Sequence, residues 1–390
     1  GSVSLEKHLT GWTTEDTTVW ATNNPYSESL VRVRDLIRYP YGCVEQTSSS
    51  LRPLLTAAEI LEQIDPLAME GKPINEMVQS GIKRLASMQT SDGGLGYWPG
   101  SGNSHPWGTA YATHVLLDAK DAGHEVMPDL LARSINYLDK MTNGDYDYGY
   151  YSYYMPSSKP YAHYILARVE KGKPVAIRNE LKTNKKRSYE SEYMLKTALF
   201  LSGDRSFEKE LRSLSGLGKI GTDYNYWSFR SSMRTKGVIL ALHQEMFGAS
   251  DSGGESLASE INGYLSGQKN RYLSTQVLGW TTYALSKRVL NQTDWKSPIL
   301  TLNNKALTAI SSNKAGASWN LWDSERKGDS ISVKGQNSDT YLMISTIGIR
   351  SDGGYKYGDN SVSVSRVYLN SDGTPFDAQT HNLSDEVVVV

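Results

Sequence analysis

Up to about residue 290, apolar residues recur three and four positions apart, punctuated by stretches rich in Gly, Ser, Asn and Asp. This is the periodicity of amphipathic helices separated by loops. Six segments share one form, a loop carrying aromatic and glycine residues that runs into a helix bearing alanine or threonine; they begin at Cys43, Trp107, Tyr161, Tyr193, Met233 and Ser274. Between several of them lie ordinary amphipathic stretches, Ile74 to Met88, Met127 to Met141 and Glu255 to Leu265, whose polar residues predict one exposed face. About six inner helices alternating with about six outer ones describe a closed α/α toroid. The copies are spaced irregularly, by roughly 30 to 65 residues, which leaves an open array of helical hairpins as the competing arrangement.

After Asp294 the period changes to two. Residues 299–302, 330–333, 340–345 and 361–368 alternate apolar with polar and are separated by Asn-Asn, Lys-Gly-Asp, Asp-Gly-Gly and Ser-Asp-Gly turns. The expected fold class is therefore mainly α with a β appendage. Val387 to Val390 is an apolar strand that a complete protein would normally cover. The chain is accordingly expected to be a piece of something longer.

Composition narrows the function classes. A length of 390 residues leaves room for a large domain and a smaller one, at roughly 100 to 200 residues each. The 41 Lys and Arg nearly cancel the 42 Asp and Glu, so no basic field draws in nucleic acid or anionic lipid. No stretch approaches the roughly 18 to 20 apolar residues of a membrane span, and no signal peptide opens the chain, although Gly1-Ser2 looks like a cloning scar. Tyrosine and tryptophan (25 and 9) far outnumber phenylalanine (5), favouring rings whose polar tips reach partners or water. The single cysteine excludes an intrachain disulfide framework and a multi-cysteine metal site. No metal and no cofactor are expected.

Cys43 is then either an inert buried thiol or a chemically special one. It lies in Tyr39-Pro-Tyr-Gly-Cys-Val-Glu-Gln-Thr, between a helix ending near Arg38 and a second running to about Glu62. If Cys43 opens that second helix, Gln46 lies three residues on and shares its face. The sulfur can then meet the carboxamide carbon, and loss of ammonia gives a thioester, an acyl group activated by its thiolate leaving group. A helix N-terminus stabilises thiolate and is expected to lower the thiol pKa. Gly42 permits the tight entry, Pro40 stiffens the approach, and Glu45 is expected to be a structural partner. A thioester must be kept from water until needed. Candidate shields are Tyr39, Tyr41, Tyr97, Trp98, Trp107 and the Tyr146 to Tyr154 cluster, including Tyr150, although core packing is the commoner fate of any one of them.

The whole string around Cys43 resembles the thioester signature of the α2-macroglobulin and complement family, in its bacterial form. Three further stretches are similar to family motifs: Met88-Gln-Thr-Ser-Asp-Gly-Gly-Leu-Gly-Tyr-Trp, Trp107-Gly-Thr-Ala-Tyr and Tyr272-Leu-Ser-Thr-Gln. The resemblance covers about residues 26 to 290. It implies a linker or β segment from a preceding CUB-like region at 1–25 and an α/α-toroid thioester domain at 26–292. A CUB-like β-sandwich segment at 293–362 and the start of a C-terminal macroglobulin-like domain at 363–390 would follow. It also implies a Cys43–Gln46 thioester that, after bait cleavage elsewhere in the molecule, acylates lysine amines of an attacking protease. The module would be a single-turnover covalent trap rather than a catalyst, a monomer in the bacterial periplasm, anchored to the inner membrane through another part of the protein. Its partners would be captured proteases and the rest of the macroglobulin chain. Complement-type members place a histidine in a loop that here reads Gly149-Tyr-Tyr-Ser-Tyr-Tyr-Met-Pro and holds none. His163, in the following helix, is the nearest candidate for that catalytic role, and direct aminolysis is expected over ester formation.

Two other readings compete. A glycan-processing toroid enzyme needs paired acids, and Asp145 and Asp147 beside Tyr148 are the close pair in an inner loop. A passive binding module would leave Cys43 merely buried.

Overall fold

The computed structural model describes residues 2–4, 12–37, 42–56, 73–145, 149–184, 186–221, 229–268, 272–289, 296–312, 316–321, 330–334, 340–350, 365–377 and 387–389. Two strands come first, β1 (Ser2–Ser4) and β2 (Trp12–Thr22). The helices that follow are α1 (Ser27–Leu30), α2 (Arg34–Ile37), α3 (Val44–Thr56), α4 (Ile74–Ala86), α5 (Pro106–Asp121), α6 (Pro128–Asn143) and α7 (Met155–Arg168). Then come α8 (Pro174–Thr183), α9 (Tyr189–Leu201), α10 (Glu208–Ser213), α11 (Ser232–Phe247), α12 (Glu255–Gly267) and α13 (Thr275–Val289). Their starts follow local chemistry. Proline opens α5, α6 and α8, where its missing N–H costs nothing, and Ser188 and Ser231 cap α9 and α11 through their side chains.

The odd-numbered helices from α3 to α13 form an inner ring. Each packs on the next, and α13 returns to pack on α3, so the toroid closes and the open array is not what forms. Gly279 of α13 faces Ser49 of α3 so closely that a Cβ there would lie 3.0 Å from the Ser49 carbonyl oxygen. Glycine in mid-helix costs about 1 kcal/mol of propensity, which this close approach at the closing contact offsets.

The inner helices are buried on nearly every side; in α5 every residue from Pro106 to Ala119 is buried. Their polar groups must therefore find partners inside. Thr109 and Thr113 donate back to the carbonyls four residues earlier, at 2.9 and 2.7 Å. At the ring centre the fully buried Arg52 of α3 lies 3.9 Å from the Trp280 ring centroid. It donates to Asp118 of α5 at 3.1 Å and to the Tyr161 hydroxyl of α7 at 3.2 Å. Asp118 also accepts from Arg168 at 2.7 Å and from Tyr283 of α13 at 3.0 Å. Burial alone would push the Asp118 carboxyl up, but the cations around it prevail and hold it below the usual carboxylate range.

The β part is a two-sheet sandwich. Its later strands are β3 (Ile299–Leu302), β4 (Lys305–Ala306), β5 (Ser311–Ser312), β6 (Ala317–Asn320), β7 (Ser330–Lys334) and β8 (Tyr341–Arg350). The two antiparallel sheets run β1-β7-β3-β4 and β5-β6-β2-β8, so the first strands of the chain complete sheets built from its last third. Alternation along β2 explains how it serves two cores. Val19 and Ala21 face Leu300, Trp319 and Ile331 inside the sandwich, while Trp20 between them joins the helical core. A separate antiparallel pair, β9 (Tyr368–Asn370) and β10 (Val387–Val389), lies beyond.

Removing one partner of a buried ion pair leaves the other uncompensated. Arg52→Ala is therefore expected to lower stability by about 3–5 kcal/mol, toward the lower figure because Arg168 stays on Asp118. Urea unfolding measures it, and a loss under about 1 kcal/mol, the range of surface pairs, would contradict a structural role for this cluster.

Candidate functional site

Cys43 is the residue immediately before α3, and Gln46 is the third residue of that helix. The first N–H groups of a helix lack carbonyl partners, and the usual remedy is a capping box. In it a serine or threonine oxygen takes the third residue's N–H, and that residue's Glu or Gln side chain reaches back to the cap's own N–H. Here sulfur stands in for the hydroxyl. The Gln46 Oε1 accepts from the Cys43 N–H at 3.2 Å, and the backbone N–H groups of Gln46 and Glu45 lie where they favour a thiolate at Cys43. The thiol and carboxamide are thus held together by the need to satisfy one helix end. Gly42 is required for the entry: a Cβ there would lie 2.8 Å from the Gln46 Cβ and 2.9 Å from the Thr47 nitrogen.

The turn is walled in. Cys43 is 3 % exposed. Burial pushes its thiol up, and the neighbouring Tyr97 hydroxyl and backbone N–H groups recover only part of that. The expectation of a lowered thiol pKa is thus corrected: the N-terminal donors are present, but desolvation outweighs them. Tyr97 is tied to the same turn through its carbonyl, which accepts from the Val44 N–H at 3.0 Å. Its ring packs on His105 at 5.2 Å, and His105 in turn packs on Tyr151 at 5.1 Å and Tyr154 at 4.2 Å. The His105 Nδ1 accepts from the Gly108 N–H at 2.9 Å and so caps α5. That bond places the proton on Nε2, which is buried with no hydrogen-bond partner among the described residues. Burial pulls the His105 pKa down to about 4, so the ring is neutral at neutral pH.

Of the other residues picked out from the sequence, Trp107 is fully buried, its ring tilted against Tyr111 at 5.0 Å and Phe229 at 4.8 Å. Trp98 turns outward at 47 % exposure, while its neighbour Tyr97 is half-buried and bonded through its carbonyl to the turn. Tyr39 and Tyr41 lie outside the described residues, as does the side chain of Tyr150, whose backbone belongs to the 3-10 turn Gly149–Tyr154. His163 is buried on α7 with its Nε2 3.7 Å from the Glu180 carboxylate of α8, so it faces an outer helix. Burial brings it to about 4. Asp145 is exposed at the end of α6, and its sequence partner Asp147 lies outside the described residues.

Sequence reasoning missed the partners of Glu45. This carboxyl is buried and raised by desolvation, with hydrogen bonds opposing the shift. It accepts from Ser49 at 2.7 Å, from Thr275 at 2.8 and 3.0 Å and from Gln276 at 2.8 Å. Gln276 accepts from Arg234 at 3.0 Å, and Arg234 pairs with Glu190. The Ser274-Thr275-Gln276 helix start, some 230 residues away in sequence, is therefore the other half of the support of the Cys43 turn.

Comparison with known proteins gives likenesses to one group of proteins. Residues 20–155 match the family model described as A-macroglobulin TED domain. The chain is 29% identical over 233 residues to the α2-macroglobulin of Escherichia coli K12, covering 55% of this chain and 13% of that protein. It is 30% identical over 222 residues to the α2-macroglobulin of Xylella fastidiosa Temecula1, covering 54% and 13%. The chain thus spans 13% of the length of these two relatives. Among solved structures, Salmonella α2-macroglobulin reacted with methylamine superposes on all of this chain and 26% of its own, with a TM-score of 0.69 at 23% identity. The native conformation of Escherichia coli α2-macroglobulin covers 97% and 24%, with a TM-score of 0.65 at 22% identity. At that identity the structural likeness shows the fold.

A histidine whose folded pKa lies at about 4, below its ordinary 6.5, favours folding while neutral. Its contribution is complete above about pH 6.5 and is lost as the pH falls toward 4, on the order of 3 kcal/mol for a shift of this size. His105→Asn keeps a capping side chain that cannot titrate. The variant is expected to lose less stability than wild type between pH 6.5 and 4 in urea titrations, and parallel pH profiles would contradict this assignment.

Proposed function

We propose that Cys43 and Gln46 condense to an internal thioester that captures proteases, a reading supported by the match of residues 20–155 to the A-macroglobulin TED domain model. The observation that carries the reading is the capping arrangement, which brings the Cys43 sulfur and the Gln46 carboxamide to the same turn. Sulfur adds to the carboxamide carbon, ammonia leaves, and a lysine amine later takes the acyl group as an amide while the thiol is released. Burial of the turn behind Tyr97 supports storage of the bond away from water. Cleavage of a bait elsewhere in the protein would expose it, and each molecule would act once, as an inhibitor and not as a catalyst.

Names of similar proteins fit this reading. The Salmonella protein is described as reacted with methylamine, and the Escherichia coli protein as activated by porcine elastase and by trypsin. Direct aminolysis is favoured over transfer through an acyl-imidazole. The His105 lone pair is engaged at a helix cap, and His163 faces Glu180 on an outer helix. The remaining parts of the proposal are a monomer working with the rest of its macroglobulin chain, in the periplasm and anchored by a segment elsewhere, divided at residues 25, 292 and 362.

The test uses full-length protein challenged with a lysine-bearing protease. Wild type is expected to yield a conjugate that resists detergent, thiols and hydroxylamine, the last because an amide survives where an ester is cleaved. Cys43→Ala should abolish the conjugate while costing about 1 kcal/mol of stability for the lost cap. An undiminished conjugate from that variant would sink the assignment.

A further inference from the structure

The whole chain is nearly neutral, yet its charge is unevenly placed. Residues 171–187 hold seven Lys and Arg against the single carboxylate of Glu180, so the remainder is net acidic. This stretch carries α8, an outer helix with Ile177 fully buried and Leu181 half-buried against the helical core. Its other side faces outward. Val175, Arg178 and Lys182 recur at three and four positions along it, and all three are exposed. Lys171 before the helix and Lys186 after it are exposed as well, and they extend the basic stripe at both ends. Near-cancellation over the whole chain, which argued against any basic field, thus hides a local one.

Two features separate this face from one made only for solubility. Charges placed for solubility mix both signs. Here Arg178 pairs with Asp204 at 2.5 Å and Lys173 with Asp139 at 2.7 Å, but Lys171, Lys182 and Lys186 have no carboxylate partner among the described residues. The second feature is Val175, 84 % exposed in the first turn of the helix, between Lys171 and Lys182. Left in water, it forgoes the gain of burying an apolar side chain. A cationic stripe with an apolar tip suits a helix lying on a membrane surface. Ammonium groups meet lipid phosphates, and the apolar side chain enters the boundary between headgroups and acyl chains. A nucleic acid would use the same charges through its phosphates and leave the valine without a role.

We propose that the outer face of α8 is a docking surface for an anionic phospholipid bilayer, with Lys171, Lys182 and Lys186 on the headgroup phosphates and Val175 inserted beside them. The contact is peripheral, and no described helix is long and apolar enough to cross a membrane. With 10 residues α8 is about 15 Å long, so the footprint is small and the charges few. Binding through so few exposed charges is reversible and weakens as salt screens them. Docking there uses none of the residues around Cys43.

The experiment sediments full-length protein with vesicles of equal parts phosphatidylglycerol and phosphatidylcholine, and with vesicles of phosphatidylcholine alone. The difference between the two isolates the charge-dependent part. Wild type is expected to partition more strongly into the anionic vesicles, and less so as NaCl is raised. Each basic residue near an anionic surface is worth roughly fivefold, so Lys182→Gln combined with Lys186→Gln is expected to weaken partitioning on the order of twentyfold. Lys182→Arg combined with Lys186→Arg keeps the charge and should keep the binding. Val175→Ser leaves the charge unchanged and should weaken partitioning roughly threefold through the lost apolar contact. Equal partitioning of wild type into both vesicles, or undiminished partitioning of the double Gln variant, would overturn the proposal. So would a Val175→Ser variant that binds anionic vesicles and duplex DNA as wild type does, since the stripe would then be a general polyanion site.

Discussion

The first turn of α3 has N–H groups with no carbonyl four residues before them, and in a buried site each must find another acceptor. The Gln46 carboxamide accepts from the Cys43 N–H, and the Cys43 sulfur sits at the same turn beside the Glu45 and Gln46 N–H groups. A sulfur and an acyl carbon are thereby held side by side by an ordinary requirement of helix formation, and the chemistry proposed for them needs little further arrangement. The surrounding residues serve that turn. Gly42 leaves room for it, Tyr97 closes over it, and Glu45 anchors its far side to α13.

The toroid supplies rigidity through polar contacts as much as through packing. Two buried networks cross the inner ring, one running from Glu45 through Gln276 and Arg234 to Glu190, the other gathering Arg52, Arg168, Tyr161 and Tyr283 around Asp118. Charges so deeply placed are costly to desolvate, and each is tolerated only with its partners in place. Helices linked in this way cannot slide independently, which keeps the N-terminal end of α3 in fixed register with that of α13.

How much of this could be read from the sequence depended on range. Three- and four-residue periodicity exposed the helices, and the recurring loop-and-helix form separated inner from outer, because both are local patterns. Cys43 and Gln46 were visible for the same reason, three residues apart on one turn. Contacts across the chain were not. Nothing local ties Glu45 to Gln276, and nothing in β1 or β2 announces that their partners are β7, β6 and β8. Adjacent aromatics such as Tyr97 and Trp98 are equivalent to a pattern, and only the tertiary path of their loop ties one to the Cys43 turn and turns the other toward solvent. The direction of the thiol shift escaped as well, since helix position is local but desolvation is set by the whole surrounding wall.

Intact mass of the untreated full-length protein tests the central claim most directly. Condensation of Cys43 with Gln46 predicts a polypeptide lighter than its sequence by one ammonia, with no thiol open to titration at Cys43. A mass equal to that of the uncondensed sequence, together with a titratable thiol at Cys43 on unfolding, would contradict it.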